Sequence, residues 1–564
     1  MSLSAGQAII EIFKAENVKY IFGMPGGHTI GIYDALYDTP EIKHILARHE
    51  QHAASMAAGY AQLTGEPGIC CVTAGPGATN LVTAVTEAYV GALPMIILAG
   101  RGPTRNAHRG AGQEIDQVQI FRAITKWAVR IDRPDLFPEL IRRAFVVSRS
   151  GKPGPVLIDI PQDILTQNVD LENYRPVGKP VPVRGNADAI RRAAEALASA
   201  NKPLIVAGGG AIASGASGAI REIAEHLAIP VFTTLSGRGS LPDDHPLAAG
   251  GIGHHRTDIA KAMLSDADVI LGVGCRFEQQ ETNWKPSYLP DPKACYIQID
   301  LDPEEMGKSV VPEVGIVGDA RLVLGDILTA LREGGTTAAG FRHHSRTMEL
   351  ADLRAQVEAA TATMVASDQV PLHPIRVISA VRDAFPRDAT IVIDVGVLAQ
   401  GMGGAYPYFK IYEPRRLITP SSFYGMGFAA AALPVASLAH PGKPAVCLVG
   451  DGSFQMVMNV LPMAREMNAG VTWCILNDEA LGSIWDIQRL AYRERYCGTI
   501  FEYQPAFAGI AKACGCHGER VERPDMITGA LERALEANRA GTPAVIDFAV
   551  AKERLEGSLE FFKR

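Results

Sequence analysis

Read for hydrophobic and polar positions, the chain breaks into short apolar runs separated by longer stretches of helical period. YIFGM, HILAR, GICCVTA, PMIILAG and GPVLIDI are the runs of the first part. They alternate with helical patterns such as HEQHAASMAAGYAQLTG. PLIVAGGG, PVFTTL, VILGVG and YIQIDLD follow, and then TIVIDVG, AVCLVGD, VTWCILND and AVIDFAV. Unbroken apolar strands alternating with helices predict parallel sheets covered on both faces, an α/β architecture of the doubly wound kind. Two polar stretches divide the chain. Residues 166–185, TQNVDLENYRPVGKPVPVRG, are Pro-rich as a linker is, and residues 341–370 are polar and helical in period. The expected blocks are therefore 1–165, 186–340 and 371–550, with no short repeat and no low-complexity tract.

Composition narrows the class. A length of 564 residues suggests about three or four domains. A hydrophobic share of 47% with 20% charged residues describes a globular protein with ample core. The net charge of −7 excludes general nucleic-acid binding. The opening MSLSAGQAIIEIFKAENVKY is an amphipathic helix with acids inside it, not a signal peptide, and no segment reaches the apolar length of a membrane span. The nine cysteines form no framework. Cys70, Cys71, Cys447 and Cys474 lie in apolar strands, as buried thiols of a reducing cytoplasm do. Cys514-Gly515-Cys516-His517 looks metal-like, but no second cluster completes a four-ligand site.

The chemistry concentrates in two turns. CLVGDGSFQM ends an apolar strand in Gly450-Asp451-Gly452, and CILNDEALGSI ends the next in Asn477-Asp478-Glu479. Each acid follows a strand's C-terminal end, where α/β sheets bind ligands. An acidic oxygen from each strand end, with glycines that let backbone approach closely, suits an octahedral Mg2+ that also holds a diphosphate. A helix starting near Ser453 would turn its N-terminus to that phosphate.

This pair of turns resembles the motif of thiamine diphosphate (ThDP) enzymes. YIFGMPGGHTIGIYDAL, TAGPGATNLVTAV, RGAGQEIDQVQIFRAITKWAV, SGKPGPVLIDIP and LSGRGSLPDDHPLAAGGIG extend the resemblance, in order, to the acetohydroxyacid (acetolactate) synthases. It implies three domains: pyrimidine-binding, central Rossmann-like and diphosphate-binding. It implies Mg2+ on Asp451, Asp478 and the carbonyl of Ala480, with Gly450, Gly452, Ser453, Leu481 and Gly482 around the diphosphate. Asp478 stands where the family usually has Asn, and Asn477, one place earlier, competes for the role. Glu50 matches the acid that hydrogen-bonds N1′ of the aminopyrimidine, which requires a protonated or proton-sharing carboxyl. Met426 matches the residue that bends the cofactor into a V, and the carbonyl of Tyr424 the acceptor of its amino group. Gly396-Val397-Leu398 matches the start of the diphosphate loop, with Val397-Leu398 in place of Gln-His.

The resemblance implies a 2-ketoacid decarboxylase/carboligase, a transferase or lyase, that works through a C2 carbanion and enamine to make a carbon–carbon bond. The alternative is a 2-hydroxyacyl-CoA lyase, an oxalyl-CoA decarboxylase or another ThDP-dependent carbon–carbon lyase. It implies a site between two subunits, hence a homodimer at minimum with a homotetramer expected. Around the substrate the chain departs from the synthases. Arg276 matches the arginine that steers a ketoacid carboxylate. Gln113 matches a pocket glutamine, but Gly112 replaces the aromatic before it. Ile487 replaces a tryptophan, with Trp485 two positions earlier. His28 replaces a small residue near the reacting carbon and could donate a proton or hold an oxyanion. In the central block Gln280 and His254 replace flavin-contacting residues while His255 is retained, so FAD, ADP or neither is expected beside PLIVAGGGAIASGASGA.

Overall fold

The computed structural model describes residues 3–288, 293–336, 344–404 and 406–554. The expected end of the central block at 340, the start of the 341–370 separator and residues 555–564 lie outside the described residues. Three six-stranded sheets are present, each parallel throughout. They are carried by two compact units: residues 1–181 with 420–442 and 457–469, and residues 182–419 with 443–456 and 470–564.

The first unit holds β1 (Tyr20–Met24), β2 (Lys43–Leu46), β3 (Gly68–Val72), β4 (Met95–Arg101), β5 (Trp127–Arg130) and β6 (Pro155–Pro161), in the order β2-β1-β3-β4-β6-β5. Every residue of β3, β4 and β6 is buried. Helices cover both faces of a parallel sheet, so its inner strands read as continuous apolar runs. Helix α1 (Glu50–Thr64) is lined with Ala53, Ala54, Ala57, Ala58 and Ala61 and stops at Gly65, whose φ of 77° makes the left-handed cap. Its small residues bring backbones together: a Cβ at Gly68 would lie 2.1 Å from the Ala57 carbonyl oxygen. Helices α2 (Val82–Val90) and α3 (Phe428–Ala432, FAAAA) pack on α1. Leu3–Ser4 pairs antiparallel with Asn168–Val169, so the start of the expected linker belongs to this unit's sheet structure.

The second unit holds two sheets. The central one runs β7 (Pro203–Ala207), β8 (Val231–Thr233), β9 (Ala248–Gly251), β10 (Val269–Val273), β11 (Cys295–Asp300) and β12 (Val314–Val317), ordered β9-β8-β7-β10-β11-β12. That is the order of a dinucleotide-binding fold. Ile205 and Ala207 of β7 enter one core, Leu204 and Val206 the other, as alternate residues of a strand must. The other sheet runs β13 (Thr390–Ile393), β14 (Leu417–Ile418), β15 (Ala445–Gly450), β16 (Val471–Asn477), β17 (His517–Val521) and β18 (Ala544–Ala549), ordered β14-β13-β15-β16-β18-β17. The helix Ser345–Val365 occupies the polar stretch between the two sheets' sequences. No helix among the described residues is long and apolar enough to cross a membrane.

Candidate active site

The order of the last sheet reverses between β13 and β15, which opens a crevice at their C-terminal ends. Gly396 follows β13 with φ 140°, a conformation only glycine takes easily, and starts the buried turn Val397–Met402. Asp451 follows β15 directly and begins the short helix α4 (Asp451–Gln455), two residues earlier than the sequence suggested. Asp478 follows β16, next to β15. Val397, Leu398, Asp451, Ser453, Asp478 and Ala480 are all buried. The Ser453 hydroxyl donates to the Val395 carbonyl at 3.3 Å and ties the two strand ends together. Gly452 and Gly482 are needed for fit: a Cβ at the first would lie 2.9 Å from Leu481, and at the second 2.9 Å from Val397.

The two acids are held differently. Asp451 accepts from its neighbour Gly452 N at 2.9 Å and from the Gln504 amide. Burial, and then the charge of Asp478, pushes its carboxyl up to about 7. Burial also raises Asp478, opposed by Arg554, whose guanidinium donates to Oδ2 at 2.7 Å. Asn477 is committed elsewhere. Its amide nitrogen donates to Asp547 at 3.0 Å and its oxygen accepts from Glu479 N at 3.3 Å. The turn then folds back through Leu481 N to the Thr499 carbonyl at 2.8 Å, and α5 (Gly482–Ala491) begins.

In the first unit Glu50 is 5% exposed at the first position of α1, and its Oε2 accepts from the Asn80 amide at 2.8 Å. The loop of Tyr424 and Met426 belongs to this unit too, and one buried carboxylate organises it. Glu87 of α2 accepts from Ser421 N at 2.8 Å, from the Ser421 hydroxyl at 2.5 Å and from Gly425 N. Tyr424 takes φ 59° inside that loop, and Met426 is half-buried. At the C-terminal ends of β1 and β3, His28 Nδ1 and Thr73 Oγ1 share a hydrogen bond of 3.1 Å. Burial lowers the pKa of that imidazole and favours its neutral form.

Comparison with known families gives three matches along the chain. Residues 3–120 match the N-terminal TPP binding domain of thiamine pyrophosphate enzymes, residues 190–327 the central domain and residues 400–548 the C-terminal TPP binding domain. A probable acetolactate synthase large subunit of Methanocaldococcus jannaschii is 36% identical over 97% of this chain and 92% of its own length. The acetolactate synthase isozyme 3 large subunit of Escherichia coli K12 is 34% identical over 97% of this chain and 95% of its own. The chain belongs to the thiamine pyrophosphate enzymes. It is a ThDP-dependent enzyme of the transferase/lyase class, and its relatives make it a decarboxylase/carboligase similar to acetolactate synthase.

The residues present fit the family's cofactor. Two buried carboxylates at adjacent strand ends could hold a divalent cation, and the glycine positions keep side chains out of the turns beside them. Among the described residues no group of three His, Cys, Asp or Glu side chains forms a metal cluster, Cys514 to His517 included. The other family positions are less drawn together. Gln113 is exposed on a turn with φ 63°, its backbone against Gly75. The buried amide beside that turn is Gln117, which accepts from Gly75 N at 2.9 Å and donates to Asp159 at 2.9 Å. Arg276 pairs with Glu278 at 3.2 Å. Ile487 is half-buried on α5, whereas Trp485, about 200° around the helix, stacks on Tyr496 at 5.4 Å. The glycines of the central loop serve the protein itself: a Cβ at Gly208 would lie 2.2 Å from the Gly274 carbonyl oxygen. Gln280, in the central block, and Gln400, in the turn after β13, keep buried side-chain nitrogens with no partner among the described residues.

Asn80, Glu87, Gln504 and Arg554 are the supporting residues that sequence reading missed. Each lies at least 30 residues from its partner, and such side chains carry no local signature of the role.

Proposed function

We propose that the chain is a ThDP- and Mg2+-dependent 2-ketoacid decarboxylase/carboligase whose cation is held by Asp451, Asp478 and the carbonyl of Ala480. The pairing of Asp451 with Asp478 carries the reading: two buried acids at neighbouring strand ends, the first raised by burial and then by the charge of the second, favour a divalent cation between them. Oxygen ligands of this kind suit Mg2+. Asn477 is a weaker candidate because both ends of its amide are used inside the fold.

ThDP, when bound, supplies the electron sink for losing CO2 from a ketoacid and for forming a new carbon–carbon bond. The chain's residues do the rest. Glu50, steadied by Asn80, holds a proton for the aminopyrimidine. Tyr424 and Met426, on the loop that Glu87 organises, orient that ring. Gly396, Val397 and Leu398 would hold the diphosphate together with Gly450, Gly452, Ser453, Leu481 and Gly482. Arg276 offers a carboxylate a planar fork, Gln113 and His28 serve the reacting oxygen, and Ile487 leaves space where related synthases carry a large ring. FAD or ADP is proposed beside the central sheet, supported by its strand order and by the unpartnered Gln280 and Gln400 nitrogens. The enzyme is read as a homodimer at minimum, with a homotetramer proposed, in the cytoplasm; all nine cysteines are free thiols, as a reducing compartment leaves them.

The test is product analysis by NMR after incubation with ThDP, Mg2+ and pyruvate, with and without FAD. Acetolactate at steady turnover supports the reading, and dependence on FAD supports the flavin. ThDP binding without turnover of pyruvate moves the donor to a larger ketoacid or an acyl-CoA. Mixing inactive Glu50→Gln and Asp451→Asn chains tests the shared site: regained activity is expected, and none after subunit exchange removes it.

A further inference from the structure

Asp478 brings a full negative charge into a buried crevice that already holds Asp451 and would receive an anionic diphosphate. Such a charge is costly unless it is paired and hydrogen-bonded. The pairing comes from residues just after β18. Arg554 has a side chain only 2% exposed and donates from Nη2 to Asp478 Oδ2 at 2.7 Å and from Nε to Asp486 Oδ2 at 2.6 Å. Lys552 donates from Nζ to the Asp478 carbonyl. Asp486, fully buried on α5, has a second cation in Arg489 at 3.3 Å, and the Arg554 guanidinium lies 5.6 Å from the Trp485 ring. Space for it depends on Gly482, where a Cβ would lie 3.0 Å from the Arg554 nitrogen. Arg554 takes Oδ2 of Asp478, and among the described residues Oδ1 accepts no hydrogen bond.

We propose that Arg554 is a positioning residue of the cation–diphosphate site: it cancels the charge of Asp478, turns one carboxylate oxygen away and leaves the other for the cation. Through the same bonds it fastens residues 550–554 to the turn 478–482. The pair Asp478–Arg554 thus acts as a unit that a neutral amide at 478 would replace. This rests on the reading of Asp451 and Asp478 as cation ligands.

The experiment is ThDP binding in the presence of Mg2+, by calorimetry on the full chain, for wild type, Asp451→Asn, Asp478→Asn, Arg554→Gln and the double variant Asp478→Asn/Arg554→Gln. Arg554→Gln is expected to weaken binding about ten- to hundredfold, because it leaves Asp478 buried and unpaired. The double variant is expected to return to within about threefold of wild type, the coupling that contacting residues show. Wild-type binding by Arg554→Gln, or a double variant as weak as Arg554→Gln, overturns the proposal. If Arg554→Gln does not fold, the double variant carries the test, since Asp486 keeps Arg489 and no charge is orphaned at 478; its failure to fold or bind also overturns the proposal. Asp451→Asn separates the two levels. If it binds ThDP and Mg2+ as wild type does, the cation site itself falls; if it does not while Arg554→Gln does, only the role of Arg554 falls.

Discussion

The first sheet and the last share one strand order, β2-β1-β3-β4-β6-β5 and β14-β13-β15-β16-β18-β17, yet their crevices carry opposite chemistry. At the ends of β1 and β3 stand His28 and Thr73, and Glu50 on α1 takes one neutral amide partner, Asn80. At the ends of β15 and β16 stand two acids, one of them answered by an arginine and a lysine from the residues after β18. One topology therefore decides where a ligand lies, because parallel strands all deliver their C-terminal ends to the same edge. It does not decide what is bound. The first crevice presents a carboxyl with a neutral amide and a histidine with a hydroxyl, and the last presents two acids with a buried counter-charge.

Glu50→Gln should show this division most strongly. Turnover is expected to fall about 10²- to 10⁴-fold, the range of a lost acid–base group, with ThDP still bound. Steady-state product formation beside cofactor titration checks it, and wild-type turnover would remove Glu50 from the chemistry. Glu87→Gln should come next. The buried carboxylate takes three donors from Ser421 and Gly425, and an amide cannot accept all three with the same strength. A loss of about 2–4 kcal/mol in urea unfolding is expected, together with a lower kcat; an unchanged urea midpoint would contradict the organising role.

Acid should act on the first unit through its buried histidines. Burial lowers His52 to about 4, reinforced by His49, and lowers His44 to about 4. Between that value and 6.5 the unfolded chain binds more protons than the folded one, so stability is present above this window and falls as pH drops through it. For His52 the loss is at most about 3 kcal/mol. His52→Gln should flatten the fall of the thermal midpoint between pH 6.5 and 4, and an identical slope would deny it. Smallest is Asp478→Asn alone. Turnover should stay within about tenfold of wild type while the Mg2+ midpoint moves, since one oxygen ligand is kept and one charge removed. An unmoved midpoint would take Asp478 out of the cation site.

The elements most legible in the sequence are those buried on both faces, although the edge strand β2 was read too. β3, β4, β7, β10, β15 and β16 are almost wholly buried and read as apolar runs. The strands that went unread are edges. β5 and β9, β12, β14 and β17 each end a sheet. WAVR and HGERV are half-exposed, VGIV alternates buried and exposed, AAGG has no β-formers beyond its burial, and Leu417–Ile418 is two residues long. An edge strand pairs on one side only and needs less apolar surface, so its pattern is weak. The glycine run at 208–210 misleads in the other direction. It looks like a nucleotide loop, but Gly208 and Gly210 are small because Gly274 lies against them.

The same division holds at the site. The sequence by itself determined the α/β class, the family and the residues whose spacing is local: Asp451 and Asp478 after their strands, Glu50 at a helix start, the glycines between them. These follow from hydrophobic period and from turn chemistry, which act over a few residues. Only the tertiary structure decided which partners complete them. Arg554 meets Asp478 across 76 residues, Gln504 meets Asp451 across 53, and Glu87 meets Ser421 across 334. A buried charge takes whatever counter-charge or donor the packing brings to it, and separation along the chain carries no trace of that encounter.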